Sequence, residues 1–135
     1  MRVSTRTAGF GGYNVLADDE KGEKISGYEP EMSCGALIEP LLDSPNVGVY
    51  DLGNRRWSLP LIVDRQHADE DAAIVFLVTH PIGLPNLVDV RIEVKRKTVY
   101  LVRAILNSFK CVRVDGKSTL TSYQFVGENY SDTAP

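Results

Sequence analysis

Between Val88 and Val126 the chain is written in the period of a β-strand, and this constrains its fold more than any other feature. Val88, Val90, Ile92 and Val94 alternate with Asp89, Arg91, Glu93 and Lys95. Side chains two apart share one face of a strand, so one face is apolar and the other polar. Val99 and Leu101 resume the alternation less regularly, with Arg103 at the next position. Arg96-Lys97 is placed to turn the chain, which makes Val88 to Arg103 a hairpin. Ala104-Ile105-Leu106 and Asn107-Ser108 follow, and Phe109 to Val114 reads as a further strand. Asp115-Gly116 is a strong hairpin signal, because both central residues of a type I′ turn need positive φ. Past it, Leu120, Ser122, Gln124 and Val126 take one face, and Thr119, Thr121, Tyr123 and Phe125 the other.

Upstream, Arg56 to Asp64 reads as a strand with Trp57, Leu59, Leu61 and Val63 on one face. Pro60 has no N–H for a ladder, so it points to an edge strand or a bulge. Residues 68–80 are the best helix. Asp69, Glu70 and Asp71 come first, where carboxylates favour the positive end of a helix. Ala72, Ala73, Phe76, Leu77 and His80 fall on one face, and Pro81 and Gly83 stop it. The β-branched Ile74, Val75, Val78 and Thr79 leave a strand as the alternative. A helix apolar nearly all round must be well covered.

The front of the chain is weaker. Gly9, Gly11, Gly12, Gly22 and Gly27 punctuate residues 1–33, and Phe10, Tyr13, Val15 and Leu16 suggest one short strand. Ala36-Leu37-Ile38 and Leu41-Leu42 are interrupted by Pro40, as a short helix or an edge strand would be. Val47 and Val49 suggest a short strand ended by a Gly53-Asn54 turn. The expected layout is an arm or long loop over 1–34, a β core with an inserted helix over 35–127, and a polar tail over 128–135. The fold class is mainly β, an antiparallel β-sandwich or open barrel with one flanking helix. A small α+β sheet with the helix across one face is the alternative.

A length of 135 residues fits one ordinary domain, and 43% hydrophobic content allows a core without metals or disulfides. No apolar run approaches the ~20 residues of a membrane-spanning helix, and Met1 to Arg6 lack the apolar stretch of a secretory signal. Cys34 and Cys111 are therefore expected as reduced, buried thiols, with a mutual disulfide or a reactive thiol as alternatives.

Motifs for chemistry are sparse. Asp115-Gly116-Lys117-Ser118-Thr119 ends like a phosphate loop, but Cys111 stands where that loop needs glycine, and a strand follows instead of a helix. Asp64, His67, Asp69, Glu70 and Asp71 form the densest group of potential ligands. A zinc site needs about three converging protein ligands, usually richer in His or Cys. Helix-start electrostatics explains the acids without a metal, and His80 would complement the helix C-terminus. No catalytic residue, cofactor or metal is expected. Trp57 reads as a core anchor or as a binding-surface aromatic.

The net charge of −3 hides two opposed segments. Residues 1–43 carry eight acidic and four basic side chains, and residues 91–117 carry eight basic and two acidic ones. These segments can meet within one molecule or between copies. The basic stretch interleaves Tyr100 and Phe109, as single-strand nucleic-acid binders do, but in strands such charges also mark a solvated face.

From Arg55 to Gly127 the order of elements resembles the tail-tube fold of bacteriophage tail proteins. Trp57-Ser58-Leu59-Pro60-Leu61-Ile62-Val63 leads to the helix. Tyr100 to Ser108 follows the first hairpin turn. Val112-Arg113-Val114-Asp115-Gly116-Lys117-Ser118-Thr119 and Ser122-Tyr123-Gln124-Phe125-Val126-Gly127 complete the order. The resemblance implies a non-enzymatic virion protein that forms homo-oligomeric, hexameric rings as tail tube, distal tail or baseplate hub. It would be assembled in the host cytoplasm. Its partners would be itself and other tail proteins, with no membrane and no specific nucleic acid. Residues 1–33 would be an arm onto a neighbour. The interface would include Asp18, Asp19, Glu20 and Glu23 on one copy and Arg96, Lys97, Arg113 and Lys117 on the next. Outside that family, the alternatives are a β-sandwich module binding carbohydrate or peptide through Trp57 and tyrosines, and a metal enzyme built on His67.

Overall fold

The computed structural model describes residues 1–40, 45 and 47–135, with the backbone alone at 35–40, 47 and 49–54. Eight strands form one antiparallel sheet: β1 (Arg2–Thr7), β2 (Asn14–Asp18), β3 (Lys24–Tyr28), β4 (Glu31–Pro40), β5 (Val47–Gln66), β6 (Leu87–Val94), β7 (Lys97–Asp115) and β8 (Ser118–Ser131). Helix α1 (Glu70–Thr79) lies between β5 and β6. The strand order is β2-β1-β6-β7-β8-β5-β3, and β4 also pairs with β5. β2 and β3 stand at opposite ends of this order, yet one 3-10 turn, Asp19–Lys21, joins them. A connection that short brings the two ends together, so the sheet curls into an open barrel.

The alternating residues fill that barrel. Leu59, Leu61 and Val63 of β5, Val90 and Ile92 of β6, Leu101 of β7 and Tyr123 of β8 are all fully buried, with Phe125 and Val88 nearly so. Removing each such side chain from water stabilises the fold by roughly 1.5–3 kcal/mol. Val3, Leu16 and Ala17 join the same core from β1 and β2. Residues 1–34, expected as an arm or long loop, thus supply β1, β2, β3 and the start of β4. Short strands between glycine turns carry too few residues each to show a period. Only their pairing with β5 and β6 makes them legible.

The turns lie one residue away from where the dipeptides pointed. Val94 pairs with Lys97, so Lys95-Arg96 is the turn, with Lys95 at φ 54°. Asp115 pairs with Ser118, so Gly116-Lys117 is the turn. Gly116 alone has positive φ, the type II′ pattern.

Pro60 sits in a strand with neighbours on both sides. β8 lies on one side, while β3 ends opposite Leu61 and β4 begins opposite Ser58. The proline therefore falls where the outer partner changes over. β5 runs through Gly53-Asn54, where its register with β4 slips, so these residues make an irregularity and no turn. Leu41 and Leu42 lie outside the described residues. The C-terminal end stays in β8 as far as Ser131. Gly127 is buried there, and a Cβ on it would stand 2.7 Å from Leu101 Cγ.

Helix α1 matches the expected span. Asp69 caps it, accepting from Ala72 N–H at 2.7 Å. Ala73 is buried and Phe76, Leu77 and His80 are half-buried. The opposite face is not covered within the chain: Ile74, Val75 and Val78 are each more than half exposed.

Candidate functional site

The predicted interface charges divide into two groups. On the acidic side, three of the four are engaged within the chain. Asp18 is buried and accepts from Glu20 N–H at 3.0 Å. Asp19 accepts from the N-terminal ammonium at 3.1 Å and from Ile25 N–H at 2.8 Å. Burial alone would raise its carboxyl, but these donors outweigh it and hold the pKa below the usual range. Glu23 accepts from Arg65 Nε at 3.1 Å. Glu20 alone of the four stays exposed without an ion pair among the described residues.

The basic residues behave differently. Arg96 and Lys97 stand exposed at the β6–β7 turn, and Arg113 and Lys117 at the far end of the β7–β8 hairpin. None has an ion pair among the described residues. The two turns lie at opposite ends of β7, so the four cations form two patches. Arg2, Asp18, Glu20, Glu93 and Lys95 line a surface cleft beside the first patch. There the acidic front and the basic hairpin do meet within one molecule. Arg2 donates to Glu93 along the β1–β6 ladder.

Two charged residues that the alternation had placed on no site are the best-built polar centres. Asp89, at a solvent position by period, is 1% exposed. Its carboxylate accepts from Arg6 Nε at 3.0 Å, Gly9 N–H at 2.9 Å and Arg103 N–H at 3.1 Å. Burial pushes its pKa up, and the two backbone donors and Arg6 push it further down, so it stays well ionised. The register between β6 and β7 slips here, and Arg103 sits at φ 50°. The carboxylate holds that left-handed residue in place.

Arg65 is the cationic counterpart, 4% exposed on β5. It donates to Glu23, to Thr121 Oγ1 at 3.0 Å and to Leu16 O at 2.7 Å. Its guanidinium lies over the rings of Phe76 and Tyr123 at 5.0 and 5.6 Å. One side chain thus binds β2, the β2–β3 connection, β8 and α1 to β5.

The helix-start acids and histidines do not converge. Asp69 is a cap, Asp64 accepts from Ser118 at 3.3 Å, and His67 Nε2 bonds Thr119 Oγ1 at 2.8 Å. Among the described residues no three His, Cys, Asp or Glu side chains come together as metal ligands. His80 bonds Tyr123 OH through Nε2 at 2.7 Å. Burial, then the nearby Arg65 charge, lowers its pKa to about 4. It is neutral at pH 7, so it cannot complement the helix end with charge, as expected from the sequence.

Cys34 and Cys111 are both exposed free thiols, not buried ones. Each lies on a strand segment outside the barrel core, Cys34 on β4 and Cys111 on the far half of β7. Trp57 stacks on Tyr130 at 5.3 Å, and Tyr130 OH bonds Tyr28 OH. These aromatics are occupied with one another, as packing anchors are. No helix among the described residues is long and apolar enough to cross a membrane.

No family model matches the chain, and no curated protein matches it in sequence. Solved structures do share its fold. One is a chain in the tail of an empty gene transfer agent particle, refined with C6 symmetry. It is 12% identical, with a TM-score of 0.57, and the match covers 98% of this chain and 95% of that one. Another comes from the virion of a native gene transfer agent particle, at 13% identity, TM-score 0.52 and coverage of 90% and 89%. The fold is therefore that of phage-like tail proteins over nearly the whole length, residues 1–34 included.

Proposed function

We propose that this chain is a structural subunit of a phage-like tail, assembling with copies of itself into six-membered rings. The observation that carries this reading is the end-to-end likeness to a chain in a tail of C6 symmetry. The surface supports it. The outer face of α1 leaves Ile74, Val75 and Val78 in water, and a neighbouring copy or tail protein would cover them. Four exposed cations at the two ends of β7, with Glu20 at the cleft rim, supply charges for copy-to-copy contacts. In this reading Asp18, Asp19 and Glu23 shape the acidic end of the subunit from within. The chain has a building role and no catalytic task, and its place is the virion.

Light scattering after size exclusion, with negative-stain microscopy, tests the proposal. Rings are expected either alone or with the tail proteins encoded beside it. A strict monomer at high concentration under both conditions overturns the reading.

A further inference from the structure

The long hairpin β7–β8 is paired unevenly. β8 accompanies β7 as far as Asp115, but β6 stops opposite Ile105. Residues 106–115 of β7 therefore present an open edge, with no ladder partner among the described residues. On the far side of the same layer, β3 and β4 lie end to end along β5. Their outer edge likewise has no ladder partner among the described residues.

Open edges invite pairing, and proteins usually blunt them. The edge of β7 is bent by one irregularity at Val112, but it keeps Val112 and Val114 about half exposed. It also carries Lys110 and Arg113, both exposed. The opposite edge carries exposed Glu29 and Glu31. Like charges directly across an antiparallel pair destabilise it and opposite charges stabilise it. The β7 edge thus disfavours a second β7 edge and suits the acidic one. Directions agree as well. Each step from β4 to β5 to β8 to β7 is antiparallel, so β4 runs opposite to β7. A second copy in the same orientation would lay its β3–β4 edge antiparallel to β7.

We propose that residues 106–115 of β7 pair with the β3–β4 edge of a second copy of this chain, carrying the sheet from copy to copy. The contact joins two different surfaces, so it closes into a ring when the rotation between copies allows. The inference rests on the ring reading above and names the strands that would make the ring.

Charge reversal at each edge tests it. K110E/R113E spoils only the β7 edge, and E29K/E31K only the β3–β4 edge. Circular dichroism establishes that both variants are folded, and mass photometry reads assembly. Each variant alone is expected to need a concentration about tenfold or more above wild type. An equimolar mixture should recover wild-type assembly, because an even-membered ring can alternate the two. Wild-type assembly by either variant alone overturns the edge pairing while leaving rings intact. So does a mixture that fails to recover. A wild-type chain that never assembles sinks the ring reading and this pairing with it. Hydrogen exchange on wild type gives a second readout that needs no variant. Amides of residues 106–115 should gain protection on assembly, and unchanged exchange there overturns the proposal.

Discussion

Asp89 and Arg65 are both charged, both nearly removed from water, and both tie the front of the chain to the barrel. They do it with different chemistry. Asp89 is an anion held by one guanidinium and two backbone N–H groups. Arg65 is a cation held by a carboxylate, a carbonyl, a hydroxyl and two ring faces. The difference lies in what each would leave behind. Backbone donors cannot leave, so loss of Asp89 strands them together with Arg6. Glu23, at 34% side-chain exposure, can return to water when Arg65 is lost. An anion anchored by main chain is thus more costly to remove than a cation anchored partly by a mobile side chain.

The comparison can be broken by measurement. Asp89→Ala is expected to destabilise most, by about 3 kcal/mol, because it leaves a half-buried guanidinium and two donors unmatched and frees Arg103 from its left-handed conformation. Urea unfolding checks this, and a loss under about 1 kcal/mol would show that the carboxylate organises nothing. Arg65→Met keeps the side-chain stem against Phe76 and Tyr123 but loses the hydrogen bonds. A smaller loss, about 2 kcal/mol, should follow. If it exceeds that of Asp89→Ala, the ranking is wrong.

The smallest effect is in pH. His80 titrates near 4 in the folded protein against 6.5 ordinarily. Between those values the unfolded chain binds the proton and the folded chain does not, so stability falls as pH drops from 6.5 towards 4. His67 is shifted the same way by burial and Arg65. Asp89 has a lowered pKa, so its contribution is lost only below the ordinary 3.8 of an aspartate. His80→Gln should flatten, without abolishing, the fall in melting temperature between pH 6.5 and 4. An unchanged slope would remove His80 from the account.

Much of the barrel was legible because its strands from Trp57 onward are long enough to repeat a period. Leu59, Leu61 and Val63, and Thr119, Thr121, Tyr123 and Phe125, took the buried faces their spacing predicted. The helix was legible from its acids and its inward stripe. The first 34 residues were not, because strands of five or six residues broken by glycine show no period of their own. Asp89 was misplaced for a related reason. Alternation assigns a face by counting, and the slip between Val88 and Val90 breaks the count where it mattered. The cysteines misled because residue type suggests burial, while exposure depends on whether a neighbouring strand extends that far. The charge split was visible as a sum per segment, but not its use. Asp18, Asp19 and Glu23 turned inward to partners that sequence distance concealed.

By itself the sequence determined the mainly β class, the two hairpins, the helix and the imbalance between an acidic front and a basic back. These follow from local period, turn chemistry and charge, all of which act over a few residues. Only the tertiary structure decided that the front third is part of the sheet, that Asp89 and Arg65 are buried, and that β7 keeps an open edge beyond Ile105. Each of these depends on which distant strand lies alongside and where it ends. Pairing across such distances is set by the packing of the whole barrel, and no stretch of the chain encodes it alone.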